Sequence, residues 1–253
     1  DIEEAHSHVN FQSLASDRAA YRLGDQFDQD VLGYLTGFKQ SATHGSPDTV
    51  NTTTNGSVAV STAGTDELLS SMKIDAAAFG GSAGASLALQ PRTGGATDST
   101  PAAGDTFPLT VIARMSRLLD QQNVDTQGRW LVVDPVFMEL LKDEDSRLFN
   151  ADFGGSGLQN GQVGTNIHGF RVYTSNNLPT VGTGPSFTGT NSTTNYGMIV
   201  AGHDSAVATA EQINKTETYR DPDSFSDIVR GMHLYGRKIL RPEALVNAKY
   251  HLA

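Results

Sequence analysis

The sequence contains no cysteine, and this absence excludes several kinds of protein. Without thiols there is no disulfide framework, no thiolate zinc site, no iron–sulfur cluster and no cysteine nucleophile. No run of about 18 apolar residues occurs, so no segment is typical of a transmembrane helix. The chain starts at Asp1 without a basic and apolar signal segment, and we expect a processed, truncated or partly represented protein.

Charged residues are also scarce, at 18% of the chain, and acidic residues outnumber basic ones. The 18 Lys and Arg against 28 Asp and Glu give a formal net charge of −10, which argues against broad binding to nucleic-acid phosphates. With 38% hydrophobic residues and 26 glycines among 253 residues, the chain can form a core in one or two domains. Gly, Ser, Thr and Asn are concentrated in the segments 39–106, 153–165 and 180–195.

The first 38 residues predict one long helix. Apolar side chains recur along it at spacings of three and four, and Gly37 is a typical helix stop. These side chains are Leu14, Leu23, Phe27, Val31, Tyr34, Leu35 and Phe38. Such a helix has one apolar side, so another element or another chain must cover it.

The segment 39–106 is rich in turn-forming and short polar residues. It contains Asn55-Gly56 between two β-capable runs, which predicts a hairpin. A short helix is expected around residues 66–79, and a second loop rich in Gly, Ser, Thr and Pro follows. Loops this long within a compact domain are usually functional, interactive or disordered.

From residue 107 onward the sequence predicts an α+β fold with helices early and strands late. A helix is expected to begin at Pro108, and a second helix at Pro135, capped by Asp134. Asp204 is expected to cap a short helix through Ala210. Strands are predicted at 129–133, 170–174, 198–201, 213–217, 228–240 and 244–250.

One hydrolase motif occurs by sequence pattern. The run from Gly80 to Gly84 matches G-x-S-x-G around Ser82. Residues that follow in the chain order of a catalytic triad are Asp98 or Asp134, and then His168 or His203. The motif requires a strand before the serine and a helix after it, whereas residues 72–79 predict a helix and a loop follows. We therefore interpret the run as a glycine-rich loop and expect no catalytic residue.

The sequence predicts neither a metal site nor a cofactor site. His6 and His8 lie two residues apart, which places their imidazoles on different faces of a helix. No Gly-Lys-Ser/Thr occurs, and residues 154–161 lack the G-x-G-x-x-G spacing of a dinucleotide site. His203-Asp204-Ser205 are consecutive, an arrangement that does not form a catalytic relay. Trp130, the single tryptophan, lies in a hydrophobic strand and is interpreted as core.

Four stretches, taken in order, resemble the major capsid proteins of tailed bacteriophages with the Hong Kong 97-like shell fold. They are LDQQNVDTQGRWLVVDPVFMELLKD (119–143), GFRVYTSNNLP (169–179), MIVAGHDSAVATAEQ (198–212) and RDPDSFSDIVRGMHLYGRKILRPEALVNAKY (220–250). The helix ASDRAAYRLGDQFDQDVLGYL (15–35) is similar to the long spine helix of that family. The resemblance covers roughly residues 1–38 and 107–251.

The resemblance implies a division of the chain into domains. A peripheral P-domain would take the spine helix (1–38), a helix (107–123) and a return strand (241–253), and an axial A-domain would take 124–240. Residues 39–106 would be a loop and hairpin insertion. The family's N-terminal arm and extended E-loop normally precede the spine helix, and this sequence has neither. The resemblance therefore implies either that they were cleaved or omitted, or that residues 39–106 supply substitute contacts.

The resemblance also implies a function: a self-assembling icosahedral shell around double-stranded phage DNA, built from pentamers and hexamers. Portal, scaffolding or decoration proteins would be its partners, DNA would be enclosed without sequence-specific binding, and no membrane, enzyme activity or cofactor is implied. The protein would be located in the virion after assembly in the cytoplasm of the host bacterium. Candidate subunit-interface residues are Arg18, Asp25, Asp28, Arg220, Asp227, Arg230, Arg237 and Arg241. Alternatives are an encapsulin-type compartment, a loop-rich decoration protein and a serine hydrolase using Ser82.

Overall fold

The computed structural model describes residues 11–36, 38–40, 47–49, 68–90, 104–142, 166–181, 196–220 and 227–252. The α-helices within these ranges are α1 (Phe11–Thr36), α2 (Pro108–Gln121) and α3 (Pro135–Leu141). The strands are β1 (Phe38–Gln40), β2 (Pro47–Thr49), β3 (Lys73–Ile74), β4 (Leu87–Leu89), β5 (Asp105–Thr106), β6 (Arg129–Val133), β7 (Asn166–Ile167), β8 (Phe170–Thr174), β9 (Thr180–Val181), β10 (Tyr196–His203), β11 (Val207–Arg220), β12 (Asp227–Ile239) and β13 (Leu245–Leu252). Short 3₁₀ turns cover Ser70–Met72, Ala76–Phe79 and Pro242–Ala244.

Nine of the described strands form one mixed sheet. Its order is β5-β4-β13-β10-β6-β8-β7, with β3 paired to β13 and β9 paired to β10. Strand β13 lies near the centre, antiparallel to β10 and parallel to β3 and β4. All eight residues of β13 are buried, as is typical of a strand covered on both faces.

Helices α2 and α3 supply much of the cover for this sheet. Pro108 occupies the first turn of α2, where its missing N–H is no loss, and the apolar side of the helix is fully buried. That side consists of Val111, Ile112, Met115 and Leu119. The N-terminus of α3 is capped by Asp134, which accepts a hydrogen bond from the backbone nitrogen of Phe137 at 3.1 Å. The ring of Phe137 then meets that of Tyr250 edge-on, with centroids 5.4 Å apart, and so joins α3 to β13.

A second sheet consists of β11 and β12 alone, and we call this two-stranded antiparallel hairpin the ribbon (207–220 and 227–239). A bulge lies between Glu211 and Ile213. Helix α1 packs along the ribbon with its C-terminal half, and the same part of α1 reaches the main core through Leu35. Because an isolated two-stranded hairpin is at best marginally stable in water, the ribbon depends on this packing.

Most of the predicted elements are present. Helix α1 ends at Thr36, one residue before Gly37, and α2, β6, α3 and β8 begin where the sequence predicts. The strands predicted from 213 to 240 form the ribbon. The hairpin expected around Asn55-Gly56 lies outside the described residues.

Two predicted helices are wrong. Residues 66–79 were expected to be helical, but the described part contains two 3₁₀ turns separated by β3, which pairs with β13. Asp204 does not cap a helix, because the residues after it extend into β11 and pair with β12. Its backbone nitrogen instead donates to the carbonyl of Gly128 at 3.2 Å. In both places cross-strand pairing outweighs local helical propensity.

The predicted division into P- and A-domains stays a prediction. Strand β13, expected in a separate return segment, pairs with β10 of the predicted A-domain over six residues. Helix α1 packs against the ribbon, which was assigned to the A-domain.

Candidate subunit interface

An ion pair in the C-terminal half of helix α1 fixes the helix to the ribbon. The guanidinium of Arg237 pairs with the carboxylate of Asp30, which also accepts a hydrogen bond from the Tyr235 hydroxyl at 2.9 Å. The guanidinium lies 4.9 Å from the ring centroid of Tyr34. Burial lowers the pKa of Arg237 and raises that of Tyr235. The four side chains therefore form one contact between elements about 200 residues apart.

Aromatic packing continues this contact toward the tip of the ribbon. The ring of Phe27 meets that of Tyr235 edge-on at 4.7 Å between centroids, and His233 lies 5.3 Å from Phe27. The His233 Nε2 atom is 3.2 Å from a carboxylate oxygen of Glu211 on the neighbouring strand. Because side chains alternate along a strand, His233, Tyr235 and Arg237 define the inner face of the ribbon.

A second contact joins α1 to the turn after β8. Asn177 donates its side-chain amide to Asp25 at 2.8 Å, and Gln29 donates to the same carboxylate at 3.3 Å. Arg22 approaches Asp25 at 3.4 Å. On the N-terminal side of this contact, helix α1 and the turn border an open cavity of about 790 Å³. The helical residues that line it are Asp17, Arg18, Tyr21, Arg22 and Asp25.

The face of the ribbon that points away from α1 carries a charged network. Glu217 accepts hydrogen bonds from Arg230 at 2.8 and 3.2 Å and pairs with Lys215. Hydrogen bonds from Lys215 and Arg230 lower the pKa of Glu217 to about 2. The guanidinium of Arg230 lies 4.9 Å from the ring centroid of Tyr219.

Large apolar side chains are exposed beside this network. Met232 is 56% exposed, Leu234 48% and Tyr219 40%. We call this surface the ribbon outer face, and its members are Lys215, Glu217, Tyr219, Arg230, Met232 and Leu234. Exposed apolar patches that are rimmed by charge are typical of protein–protein contact sites.

A comparable surface occurs on helix α1, between Leu14 and Asp28. Tyr21 is 74% exposed and Leu14 44% exposed. We call this surface the helix outer face, and its members are Leu14, Asp17, Arg18, Tyr21 and Asp28. Burial, and then the charge of Asp25, raise the pKa of Asp28.

The predicted interface residues fall into three groups. Arg18, Asp28, Arg220 and Arg230 are exposed, and Asp227 begins β12. Asp25 and Arg237 take part in the contacts that hold α1 within the chain. Arg241 pairs with Glu243 at 3.0 Å and approaches the Ser205 hydroxyl at 3.4 Å. A role between subunits stays a prediction for all eight residues.

The core contains the buried carboxylate of Asp134, which the sequence predicted only as the N-cap of α3. Asp134 is 5% exposed and accepts a hydrogen bond from the hydroxyl of Tyr250 as well as from Phe137. Burial raises the pKa of Asp134, and these hydrogen bonds oppose that rise. Burial, and then Asp134, raise the pKa of Tyr250.

The opposite face of β13 carries a row of buried polar side chains. Asn247, Lys249 and His251 alternate along the strand and are all less than a tenth exposed. Burial, and then the charge of Lys73, lower the pKa of Lys249 to about 8. The Ser86 hydroxyl lies 2.8 Å from Nδ1 of His251.

Sequence reasoning missed Arg129 as a structural residue. Its side chain is almost fully buried and donates to the Asp120 carboxylate at 2.7 Å and to the carbonyls of Val124 and Asp125 at 2.6 and 2.8 Å. The guanidinium thereby closes the connection between α2 and β6. The sequence feature that could have indicated this role is the position of the arginine between Gly128 and the hydrophobic run that begins at Trp130.

Ser82 does not lie between a strand and a helix, which is the context that the G-x-S-x-G pattern requires, and Asp98 lies outside the described residues. Ser82 lies in an exposed loop after the 3₁₀ turn Ala76–Phe79, and Asp75 holds that loop by accepting from Gly84 at 2.7 Å and Ala77 at 3.1 Å. His203 contacts the Ser205 hydroxyl and the Gln127 carbonyl, both at 2.8 Å. Within the described ranges, no group of three or more His, Asp or Glu side chains could hold a metal. His6 and His8 lie outside those ranges.

The helices of the described residues include none that is both long and apolar enough to cross a membrane.

Several solved structures that are similar to this chain come from bacteriophages. The capsid of the cyanophage P-SCSP1u matches with 17% identity and a TM-score of 0.61, over 100% of this chain and 70% of that chain. Gordonia phage Cozz matches with 16% identity and a TM-score of 0.51, over 98% and 65%. Mycobacterium phage Che8 matches with 32% identity and a TM-score of 0.47, over 65% of this chain. This chain spans about half of the Che8 chain, 53% of its length.

A family described as "Phage capsid protein" matches residues 9–248, which is most of the chain. No curated protein matched. The α+β capsid fold predicted from the sequence is confirmed by the cyanophage capsid, whose likeness extends over the whole chain. The predicted resemblance to phage capsid proteins is likewise confirmed. The chain belongs to the phage capsid protein family.

Proposed function

We propose that this chain is a major capsid protein that assembles with copies of itself into the icosahedral shell of a bacteriophage. The observation that carries the proposal is membership of the phage capsid family over residues 9–248. Exposed apolar side chains on α1 and on the ribbon support it, because repeated modest contacts give a shell high collective stability.

The proposed shell consists of pentamers and hexamers and encloses double-stranded DNA in the virion. The net charge of −10 fits a container that holds DNA without binding its phosphates tightly. Portal, scaffolding or decoration proteins would complete the particle, and assembly would take place in the host bacterial cytoplasm. We further propose that the protein acts without enzymatic activity or a cofactor. The P- and A-domain division and the eight interface residues belong to the same proposal.

The test is expression of the full-length protein, followed by sedimentation velocity and negative-stain electron microscopy. We expect closed particles of uniform size. A monodisperse monomer under all assembly conditions would contradict the proposal. A cargo enzyme inside purified shells would indicate an encapsulin-type compartment instead. Coating of other particles by a small oligomer would indicate a decoration protein, and ester hydrolysis lost in Ser82→Ala would indicate a hydrolase.

A further inference from the structure

We propose that the helix outer face of one subunit binds the ribbon outer face of the next, in a head-to-tail contact. The inference rests on the proposed self-assembly and specifies two of the surfaces that carry it. Its occupant is a second copy of this chain. The members of both faces are the residues defined above, of which Asp17, Arg18 and Tyr21 also line the open cavity between α1 and the turn after β8.

The first step is that the two faces point in opposite directions. Phe27, Asp30 and Tyr34 contact the ribbon and lie on one side of α1. At about 3.6 residues per turn, Tyr21 and Asp28 lie on the opposite side of the helix. In the ribbon, Met232 and Leu234 alternate with the inward residues and therefore point away from α1. No single chain can bring its own two outer faces together.

The second step is that both faces are apolar enough to require cover. Tyr21 and Leu14 are exposed on the helix, and Met232 and Leu234 on the ribbon, each by 44% or more. Helix α1 covers one face of the ribbon, and the exposed apolar side chains lie on the other face. Cover by another subunit would bury the second face of the ribbon.

The third step is charge. The helix outer face holds two acids, Asp17 and Asp28, and one base, Arg18. The ribbon outer face holds two bases, Lys215 and Arg230, and one acid, Glu217. Contact between unlike faces joins an acidic surface to a basic one, whereas contact of ribbon with ribbon places two basic surfaces together. The charges therefore favour the pairing of unlike faces.

A contact between unlike faces leaves one free face at each end of a pair, so it continues into rings or arrays. A contact between like faces closes after two copies. The proposed geometry is thus suited to five- and six-membered capsomers, in which every subunit contributes both faces.

The absence of cysteine permits a direct test. The full-length double variant Tyr21→Cys/Met232→Cys is assembled into particles and oxidised, and the products are separated on a non-reducing gel. We expect a ladder of dimers, trimers and larger species from the double variant and monomers from each single variant. A 1:1 co-assembly of the two single variants should give dimers and nothing larger, because each chain then carries one thiol.

Dimers from Met232→Cys alone would establish a ribbon-to-ribbon contact and overturn the inference. Monomers from the double variant inside closed particles would overturn it while leaving the proposed function intact. Failure of the unmodified chain to form particles would overturn both.

A second pair of variants keeps the inference testable if the cysteine variants do not assemble. Tyr21→Arg blocks the helix outer face, and Met232→Arg blocks the ribbon outer face. We expect each variant to be folded, by Trp130 fluorescence, and to lose particle yield at least tenfold. A 1:1 mixture should form dimers in sedimentation velocity, since one intact face of each kind remains. A mixture that stays monomeric, or normal particle yield from either variant alone, would overturn the inference.

Discussion

Tyr250 donates its hydroxyl hydrogen to the buried carboxylate of Asp134, which lies 116 residues earlier in the chain. The bond ties the N-terminus of α3 to the central strand of the sheet. Replacing Tyr250 with Phe removes only the hydroxyl and leaves Asp134 with one donor fewer. We expect the free energy of unfolding to fall by about 1.5–3 kcal/mol, as for other hydrogen bonds to charged groups. Urea denaturation at pH 7 measures the loss, and Tyr173→Phe, at a half-exposed tyrosine, is the matched control.

The same carboxylate makes the stability of the fold depend on pH in the acidic range. Because burial raises the pKa of Asp134 above its ordinary value of 3.8, the folded state binds this proton more tightly than the unfolded state. Its contribution to stability is therefore present at acidic pH and is lost as pH rises from 3.8 through the folded pKa. Asp134→Asn removes this dependence. Denaturation curves with the same pH slope in both chains would contradict the prediction.

Lys249 is expected to reduce stability at neutral pH. Its pKa falls from 10.5 to about 8 on folding, so the folded state releases the proton first. Stability should rise with pH between about 8 and 10.5, where the unfolded chain still binds that proton. Lys249→Met should remove the slope and increase stability at pH 7 by up to about 3 kcal/mol, at 1.36 kcal/mol per pKa unit. Thermal unfolding from pH 6 to 10.5 tests it, with exposed Lys142→Met as the control.

The ion pair between Arg237 and Asp30 should couple α1 to the ribbon. Arg237→Met leaves a half-buried carboxylate without its cation, and we expect a loss of about 2 kcal/mol, less than for a fully buried pair. Hydrogen exchange should speed up in α1 and the ribbon and stay unchanged in β13. Arg230→Met, which breaks an exposed ion pair, should change neither the free energy of unfolding nor the hydrogen-exchange rates. Additive effects of Arg237→Met and Asp30→Asn in a double-mutant cycle would show that the two residues act independently.

Gly202 provides the space in which Trp130 packs. A Cβ at this position would lie 2.9 Å from Cζ2 of Trp130 and 3.1 Å from the Ala244 carbonyl. Gly202→Ala should therefore lower the free energy of unfolding by about 1–3 kcal/mol through overpacking. Trp130, the single tryptophan, should report the change in its fluorescence maximum. Gly24→Ala in α1, where a Cβ meets nothing within 4 Å, should instead stabilise the protein by about 0.5–1 kcal/mol. Equal effects of the two substitutions would contradict this account.

Local signals in the sequence were sufficient for much of the fold. Gly37, Pro108 and the Asp134-Pro135 step mark helix boundaries through backbone chemistry that acts within one turn. The same reasoning failed at Asp204, because an Ala- and Thr-rich segment is compatible with a helix or a strand. The strand forms there because β12, some 30 residues later, supplies its hydrogen-bond partners.

The contacts that define the candidate interface could not be predicted from local pattern. Asp30 and Arg237 are more than 200 residues apart, and nothing in either neighbourhood identifies the other. The sequence did indicate Arg18, Asp28 and Arg230 through the family resemblance, but not the exposed Tyr21 and Met232 beside them. Their exposure depends on which side of α1 the ribbon covers, and that is a property of the tertiary fold.

The position of β13 has a consequence for synthesis on the ribosome. Strands β4 and β5 on one side of the sheet, and β10, β6 and β8 on the other, are hydrogen-bonded to each other only through β13 among the described strands. All of them emerge from the exit tunnel before β13 does. The sheet therefore cannot close co-translationally until residues 245–252 are released, and contacts of such large sequence separation form slowly. A chain that ends before residue 245 lacks β13, and the strands on its two sides then have no hydrogen-bonded connection among the described strands.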